Sequence, residues 1–246
     1  TLPPPPLTIA AAAACYPASH SASMSTDAVT PIPWRRWDVE AAHARGSRTP
    51  PRFGAFLPPG RAAAFDAAAF GLTRAEAEAT DPQQRLLLDL TREALGGAGV
   101  MPGPGGGAEA AVFVGIGAVD YASLSAASTP LPGAFTATGA AGSVAAGRLA
   151  YVFGLRGPAA AVDTACSSAL VATHLAAGTL RGGQARPRAS SFALAAGVSL
   201  ALSPGTAAAF GATGMLAPDG RCKSLDGGAD GYGRADSAAV AVLEVG

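Results

Sequence analysis

The 246-residue sequence predicts an α/β fold in which short strands alternate with helices that are apolar on most sides. Short apolar runs at 111–117 and 192–202, bounded by Gly, Ser or Pro, are typical of buried strands. Apolar residues recur at helical spacing over 82–95, and the stretches 138–153 and 166–180 carry them on nearly every side. Because the apolar residues are mainly alanine, we expect helices and strands to approach one another closely.

Capping residues indicate where the helices begin and end. Thr73 and Glu76 form a capping box, which predicts the start of a short helix. Asp81 is a suitable N-cap and Pro82 a suitable first residue for the next helix, which the glycines at 96–97 end. Further strands are predicted at 7–15, 159–163 and 238–243, with a turn at 154–158.

The chain is predicted to divide into two parts. Residues 1–33 are expected to form a leader or loop with a degenerate first strand, because a proline run and a Ser- and Thr-rich stretch flank their single apolar segment. Residues 34–246 are expected to form one larger portion of a domain. Arg35 and Arg36, flanked by Trp34 and Trp37, could stack or form an interface, but a surface turn is the favoured interpretation.

Composition and charge argue against several classes of function. The 17 basic and 17 acidic residues balance and form no basic stripe, so nucleic acid is not expected as a partner. No apolar run has the length of a membrane span. Cys15, Cys166 and Cys222 lack the spacing of a metal site or a disulfide framework, which favours a reducing, cytoplasmic location and no metal.

Cys166 is the candidate catalytic residue. An apolar strand is predicted to run into a turn of small residues, with a helix beginning at the cysteine, as in a nucleophile elbow. Free N–H groups and the helix dipole at that position favour negative charge on the sulfur or on an oxyanion. The alternative is a buried cysteine that packs as a small apolar residue, and the local pattern leaves both open. For Cys15 and Cys222 the apolar role is favoured.

No histidine is placed to act as the base for this cysteine. His174 lies eight residues further along the same predicted helix, which is about 12 Å along the axis. It is expected to pack against a neighbouring layer. His20 and His43 lie in segments that are interpreted as loops.

Two other kinds of site receive little support. The glycine pairs at 115–117 and 231–233 do not complete a phosphate-binding fingerprint followed by a helix. Asp226, Asp230 and Asp236 lack the glutamate that closes a calcium loop, and they are expected to serve turns instead.

Several motifs resemble one known family. Asp163-Thr-Ala-Cys-Ser-Ser-Ala-Leu170 closely resembles the active-site signature of β-ketoacyl synthases, in particular the ketosynthase domains of type I polyketide synthases. Asp81-Pro-Gln-Gln-Arg-Leu-Leu-Leu88 resembles a helix signature of the type I enzymes. Further segments that agree in order and spacing lie at 54–57, 65–67, 141–151, 153–158, 214–223 and 230–234.

The resemblance implies a thiolase-like fold, in which two similar halves stack as αβαβα layers. This chain would supply the N-terminal half only, and it is expected to stop before the half that carries two histidines and a lysine. Only Cys166 is therefore carried over as a catalytic residue. Lys223 lies in a different motif and does not correspond to the lysine of the family. Ala169 stands where the family more often has serine.

The implied activity is that of an acyltransferase of the 3-oxoacyl-carrier-protein synthase type. Cys166 would accept an acyl chain from a carrier-protein phosphopantetheine thioester for decarboxylative Claisen condensation in polyketide or fatty-acid biosynthesis. The implied partners are an acyl carrier protein, acyl and malonyl-type thioesters and, for the complete domain, a second copy in a homodimer. No cofactor would be bound directly.

Two alternatives remain open at this point. The second half could lie on another chain, which would make the protein part of a split enzyme. The chain could also be a catalytically incomplete ketosynthase fragment that acts as a scaffold or as a carrier-protein-binding remnant.

Overall fold

The structure, a computed structural model, describes residues 6–17, 27–44, 51–58, 60–100, 107–117, 120–128, 133–181 and 192–246. The strands in these ranges are β1 (Leu7–Cys15), β2 (Val29–Pro31), β3 (Phe53–Ala55), β4 (Ala111–Ile116), β5 (Ala159–Val162), β6 (Phe192–Ser199) and β7 (Ser237–Val245). The helices are α1 (Val39–Ala44), α2 (Arg74–Ala79), α3 (Pro82–Gly97), α4 (Asp120–Ser128), α5 (Thr136–Ala140), α6 (Val144–Phe153), α7 (Ser168–Arg181) and α8 (Pro204–Ala212). No helix in the described ranges has the length and apolarity that crossing a membrane requires.

Five strands form one mixed sheet in the order β1-β7-β6-β4-β5. β4 pairs in parallel with β5 and with β6, whereas β7 runs antiparallel to β6 and to β1. The helices α6 and α7 make the crossovers that parallel neighbours need. β2 and β3 form a separate antiparallel ribbon.

Helices cover the sheet on both faces, so that successive residues of β4 belong to different cores. Val112 and Val114 pack into the larger core with the leucines of α3 and α6. Phe113 packs into a smaller core with Ala172 and Ala176 of α7. This alternation of helix and strand layers around one sheet confirms the α/β prediction.

Only one side of α7 is covered. Ser168, Ala172 and Ala176 recur at four-residue spacing and are buried, but Leu170 is 73% exposed and His174 is exposed. The expectation that His174 packs against a neighbouring layer is wrong within the described chain. The reason is that α7 packs mainly against strands of the one sheet, which can cover only one of its sides.

The N-terminus of α3 is built from buried polar groups. Asp81 Oδ1 accepts a hydrogen bond from the Gln83 N–H at 2.8 Å, and Asp81 Oδ2 accepts one from Gln83 Nε2 at 3.0 Å. Gln83 Oε1 in turn accepts from the N–H of Leu200, just beyond β6, at 3.2 Å. Thr73 also caps α2 as expected, with its Oγ1 accepting from the Glu76 N–H at 3.2 Å. Both predicted caps are confirmed.

The stretch 138–153, which the sequence predicted as one helix, is interrupted between α5 and α6. The carbonyl oxygens of Gly139 and Ala141 accept hydrogen bonds from Gln84 Nε2 at 3.0 and 3.1 Å, and that of Gly139 also accepts from the Asp81 N–H. Ala141 has a ψ of 119°, an extended value. Because α3 takes up these carbonyl groups, the helix breaks at Ala141.

Replacing Asp81 with asparagine tests the cost of this buried carboxyl. Burial raises the pKa of Asp81 above its ordinary value of 3.8, and the hydrogen bonds from Gln83 oppose this only in part. A raised pKa stabilises the fold below the unfolded-state pKa, and this contribution is lost as the pH rises through the folded-state value. As the pH rises above 3.8, we expect the unfolding free energy of the parent chain to fall more steeply than that of Asp81→Asn. Urea denaturation of both proteins across this range measures the difference, and parallel curves would contradict it.

A buried ion pair joins the start of the larger portion to the beginning of β7. Arg36 Nη2 donates to Asp236 Oδ2 at 2.5 Å, and Arg36 Nη1 donates to the carbonyl of Ala201 at 2.9 Å. Asp236 also accepts from the N–H groups of Leu57 and Ala201 at 3.1 and 2.8 Å. The predicted turn is present, but its assignment to the surface is wrong for Arg36, because its guanidinium meets a carboxylate 200 residues along the chain.

Several elements were not predicted, namely α1, α4, α8 and the β2–β3 ribbon. Asp120, the first residue of α4, explains part of this. Its carboxylate accepts hydrogen bonds from the N–H groups of Leu202 and Ser203 and from Thr206 Oγ1, so it fixes the start of α8 from a distant part of the chain. β1 is a nine-residue edge strand paired with β7, and the proposed division of the chain at residue 33 stays a prediction.

Candidate active site

Cys166 lies in the turn between β5 and α7 and is exposed. Ala165, immediately before it, has a φ of 56°. This left-handed conformation is unfavourable for a residue with a Cβ and is often found at functional turns. The chain therefore reverses sharply at the cysteine, and the predicted strand–turn–helix is present. The alternative of a buried structural cysteine is wrong for Cys166. Cys15 is buried as expected, but the same expectation is wrong for Cys222, which is exposed.

Side-chain hydrogen bonds hold the turn in place. The buried Ser168 Oγ donates to the carbonyl of Ala165 at 2.7 Å and accepts from the N–H of Thr164 at 2.8 Å. Asp163 Oδ1 accepts from the Ala165 N–H at 3.0 Å, and Ser167 Oγ donates to the Thr164 carbonyl at 2.8 Å. The backbone on both sides of the cysteine is thus fixed, and the cost of the left-handed residue is offset locally.

The helix begins two residues later than predicted, at Ser168. The N–H groups of Ser167 and Ser168 donate to the carbonyls of Thr164 and Ala165, at 3.4 and 3.2 Å. These two donors therefore close the turn and are not free to stabilise an anion. Cys166 still precedes the positive end of the α7 dipole, which favours a negative charge there.

Glycines on the neighbouring strands let the turn come close to the sheet. A Cβ on Gly115 of β4 would lie 2.6 Å from the Ala169 nitrogen and 2.6 Å from the Ser168 carbonyl carbon. A Cβ on Gly197 of β6 would lie 2.7 Å from the Ala169 Cβ, and one on Gly117 would lie 2.6 Å from Asp163 Oδ1. Gly115 thus lets backbone pass against backbone, whereas Gly197 and Gly117 make room for the side chains of Ala169 and Asp163.

A cavity of about 950 Å³ opens in front of Cys166. The ends of β1, β4 and β6 form part of its wall, together with the β5–α7 turn and residues from α8 onward. Most of the lining residues are small or apolar, and Cys15 is among them. Of the described residues that line it, Asp163 is the one acid and Arg234 the one base. The site therefore combines a thiol with a mostly apolar space large enough for an acyl chain.

The structure brings no histidine to Cys166 within the described residues. His174 lies on the exposed part of α7, and His20 lies outside the described ranges. His43 lies within α1 and not in a loop. Lys223 Nζ forms ion pairs with Asp219 at 3.0 Å and Asp230 at 2.6 Å.

The three aspartates near the C-terminus play different parts. Asp226 Oδ1 accepts from the Gly228 N–H at 2.7 Å and serves a turn as predicted. Asp230 pairs with Lys223, and Asp236 with Arg36, so the turn interpretation is wrong for Asp236. The described residues include no group of three or more His, Cys, Asp or Glu that could hold a metal ion.

Arg234 is a site residue to which the sequence assigns no role beyond the end of the motif at 230–234. Its guanidinium carbon lies 5.2 Å from the centre of the Phe210 ring, and both residues line the cavity. The sequence carried a weak signal, an arginine inside a glycine-rich segment, but no local pattern showed that this segment meets Cys166.

A layered α/β fold that presents an exposed cysteine from a strand–turn–helix at a cavity is the arrangement expected of the thiolase-like class. A family model described as the N-terminal domain of β-ketoacyl synthases matches residues 22–245. The chain belongs to this family, and the predicted resemblance is confirmed.

The curated relatives are large polyketide synthases. Over 222 residues, which are 89% of its length, this chain is 46% identical to a phenolphthiocerol/phthiocerol polyketide synthase subunit of Mycobacterium tuberculosis. Over the same number of residues it is 44% identical to a mycocerosic acid synthase-like polyketide synthase of Mycolicibacterium smegmatis. The chain spans 14% of the length of the first relative and 10% of the second.

Solved ketosynthases share the fold. The ketosynthase from module 6 of the bacillaene synthase of Bacillus subtilis 168 superimposes with a TM-score of 0.78 at 29% identity. The oxazolomycin ketosynthase domain of Streptomyces albus JA3453 does so with a TM-score of 0.80 at 28% identity. Each match covers 97% of this chain, and 40% and 43% of the other chain. The thiolase-like fold predicted from the sequence, represented by its N-terminal half, is confirmed.

Proposed function

We propose that Cys166 accepts an acyl group from a carrier-protein thioester, as the first step of β-ketoacyl synthase condensation in polyketide biosynthesis. The observation that carries this proposal is the exposed thiol in a hydrogen-bonded turn at the mouth of a mostly apolar cavity. An acyl chain needs such a space, and a thioester needs an accessible thiol. The relatives named polyketide synthases support the same activity.

The acyl transfer requires only groups that the substrate and this site supply. The Cys166 thiolate attacks the thioester carbonyl carbon and forms a new C–S bond, through a tetrahedral oxyanion. The C–S bond to the pantetheine sulfur then breaks. The departing thiolate takes up a proton equivalent to the one that Cys166 gave up, so no oxidant or bound cofactor is needed.

The turn geometry serves this step. Because Ser168 and Asp163 fix the backbone around Ala165, the sulfur is held in one position when the thioester arrives. The α7 dipole favours the charge that develops during attack. In the whole ketosynthase, a malonyl-type extender on a carrier protein would lose CO₂, and its carbanion would attack the acyl-Cys166 carbonyl and release the thiol.

Acylation of the 246-residue chain by an acyl-N-acetylcysteamine thioester tests the proposal. Mass spectrometry of tryptic peptides measures the acyl group on each of the three cysteines. We expect Cys166 to be acylated at least about tenfold faster than Cys222, because the turn fixes its sulfur at the mouth of a cavity that can hold the acyl chain. Cys222 is the matched control, since it is also exposed and lies in a loop of the same chain.

Substitution separates this activity from general thiol reactivity. Cys166→Ala is expected to lose the fast acylation, whereas Cys222→Ser is expected to keep it. Circular dichroism spectra verify that both variants are folded. If Cys166 reacts no faster than Cys222 in the folded chain, the proposal fails. Carrier-protein binding without acylation would instead support the scaffold or carrier-binding function.

A further inference from the structure

The cavity in front of Cys166 has an uneven distribution of charge. Among its described lining residues, Arg234 is the only base and Asp163 the only acid. Asp163 Oδ1 already accepts the hydrogen bond from Ala165 that shapes the turn. An arginine in a largely apolar cavity is a strong site for an anion, because the lower local dielectric strengthens charge interactions.

The side chain of Arg234 lies at the cavity wall. Its guanidinium carbon is 5.2 Å from the centre of the Phe210 ring, and Phe210 also lines the cavity. Stacking on an aromatic face restricts the guanidinium while leaving its edge N–H groups free to donate. The backbone is fixed as well, because the Arg234 carbonyl accepts from the Ala55 N–H at 2.9 Å. The group is therefore held in place by contacts that leave its hydrogen-bonding capacity unused.

The charge of Arg234 is not balanced by a carboxylate of the described chain. The described ion pairs include an acid for Arg36, Arg148 and Arg221, but none for Arg234. Its guanidinium also makes no hydrogen bond to another described residue. Because Arg234 faces the cavity and has no acid partner among the described residues, its charge is available to an anion from outside.

We propose that Arg234 binds an anionic group of the thioester substrate, a carboxylate or a phosphate, while the thioester reacts with Cys166. A carboxylate is planar and a phosphate is tetrahedral, and a guanidinium can contact two oxygens of either group through two N–H groups. This inference rests on the proposed acyl transfer. The carboxylate would belong to the acyl or extender group, and the phosphate to the phosphopantetheine arm.

Alkylation of Cys166 tests the anion site without any thioester. Iodoacetate and iodoacetamide form the same C–S bond, but only iodoacetate carries a carboxylate. The measured quantity is the ratio of their rate constants at Cys166, obtained by mass spectrometry. We expect Arg234→Gln to lower this ratio about fivefold, because it removes the cation that attracts the carboxylate. Arg234→Lys is expected to retain most of the ratio.

Arg35→Gln is the matched control. Arg35 also stacks on an aromatic ring, with its guanidinium carbon 5.6 Å from the centre of Trp34, but it does not line the cavity. This variant is expected to leave the ratio unchanged. An unchanged ratio in Arg234→Gln overturns the inference, and so does an equal fall in Arg35→Gln, since that would reflect net charge alone.

Paired thioesters then identify the source of the anion. Acyl-phosphopantetheine is compared with acyl-pantetheine, and a succinyl thioester with the butyryl thioester of N-acetylcysteamine. If Arg234→Gln lowers the ratio of acylation rates in the first pair, the bound anion is the phosphate. If it lowers the ratio in the second pair, the bound anion is the carboxylate. Failure of every thioester to acylate Cys166 would contradict the proposed function, while the alkylation ratio would still decide the role of Arg234.

Discussion

Asp236→Ala is expected to lower the unfolding free energy of the chain by about 3–5 kcal/mol, because it leaves the Arg36 guanidinium buried without a counter-ion. Asp236 is completely buried, and only 14% of the Arg36 side chain is exposed. The same substitution removes the acceptor of two buried hydrogen bonds, which the N–H groups of Leu57 and Ala201 donate to Asp236, and leaves both donors unsatisfied. Urea denaturation followed by circular dichroism measures the change.

The size of this effect depends on the pairing. Burial raises the pKa of Asp236, and the Arg36 guanidinium acts against this. The carboxylate is therefore costly to bury alone but is stabilised by its partner. Replacing both residues, in Arg36→Met with Asp236→Leu, removes both charges together. We expect the double variant to lose less stability than Arg36→Met alone and Asp236→Leu alone lose when their two losses are added. Such a difference is the signature of a direct interaction.

Asp230→Ala provides the matched control. Asp230 belongs to the same segment and is also ion-paired, but its side chain is 47% exposed and so is partly solvated. Surface pairs of this kind contribute little to stability, so no resolvable change is expected. Equal losses in Asp236→Ala and Asp230→Ala would show that the buried pair has no special importance for the fold.

The ion pair also bears on the site, because Asp236 is two residues from Arg234. Asp236 fixes the start of β7 to Leu57 and to Ala201 beyond β6. Ser237, Ala238 and Ala239, which follow it, line the cavity in front of Cys166. The part of the cavity wall that β7 forms is thus held in place by residues from distant parts of the chain.

How much of the fold could be predicted depends on where each element finds its partners. α2 and α3 were predicted with correct starts because Thr73 and Asp81 cap them within three residues. The apolar strands β4 and β6 were also visible as local runs. α8 was missed because the acid at its start, Asp120, comes from α4. The break at Ala141 was missed because the donor is Gln84 of α3.

The site divides in the same way. Cys166 could be predicted because its strand, turn and helix are consecutive and match a family signature. Arg234 could not be given a role, because the cation becomes significant only where the chain folds it over Phe210 beside the cavity. Likewise, the sequence around Gly115 indicates only a small residue within a strand. Its importance lies in the approach of the α7 backbone, which sequence spacing does not reveal.

Gly115→Ala should therefore impair both the fold and the cysteine. The added Cβ would lie 2.6 Å from the Ala169 nitrogen and 2.8 Å from the Ser168 oxygen. Backbone atoms at this distance cannot rotate away, so either β4 or the start of α7 must move. Overpacking of this kind costs about 1–3 kcal/mol of unfolding free energy. Since Ser168 holds the turn through two hydrogen bonds, the movement should also displace Cys166.

The decisive measurement compares stability and reactivity in the same variant. We expect Gly115→Ala to acylate Cys166 at least about tenfold more slowly under conditions where the chain is still folded, because misplacement of a nucleophile is costly. Gly147→Ala is the matched control, since Gly147 lies on the exposed part of α6 with no atom within 4 Å of an added Cβ. That variant should gain about 0.5–1 kcal/mol from helix propensity and keep its cysteine reactivity. A folded Gly115→Ala with normal acylation would mean that the turn holds the thiol independently of its distance from β4.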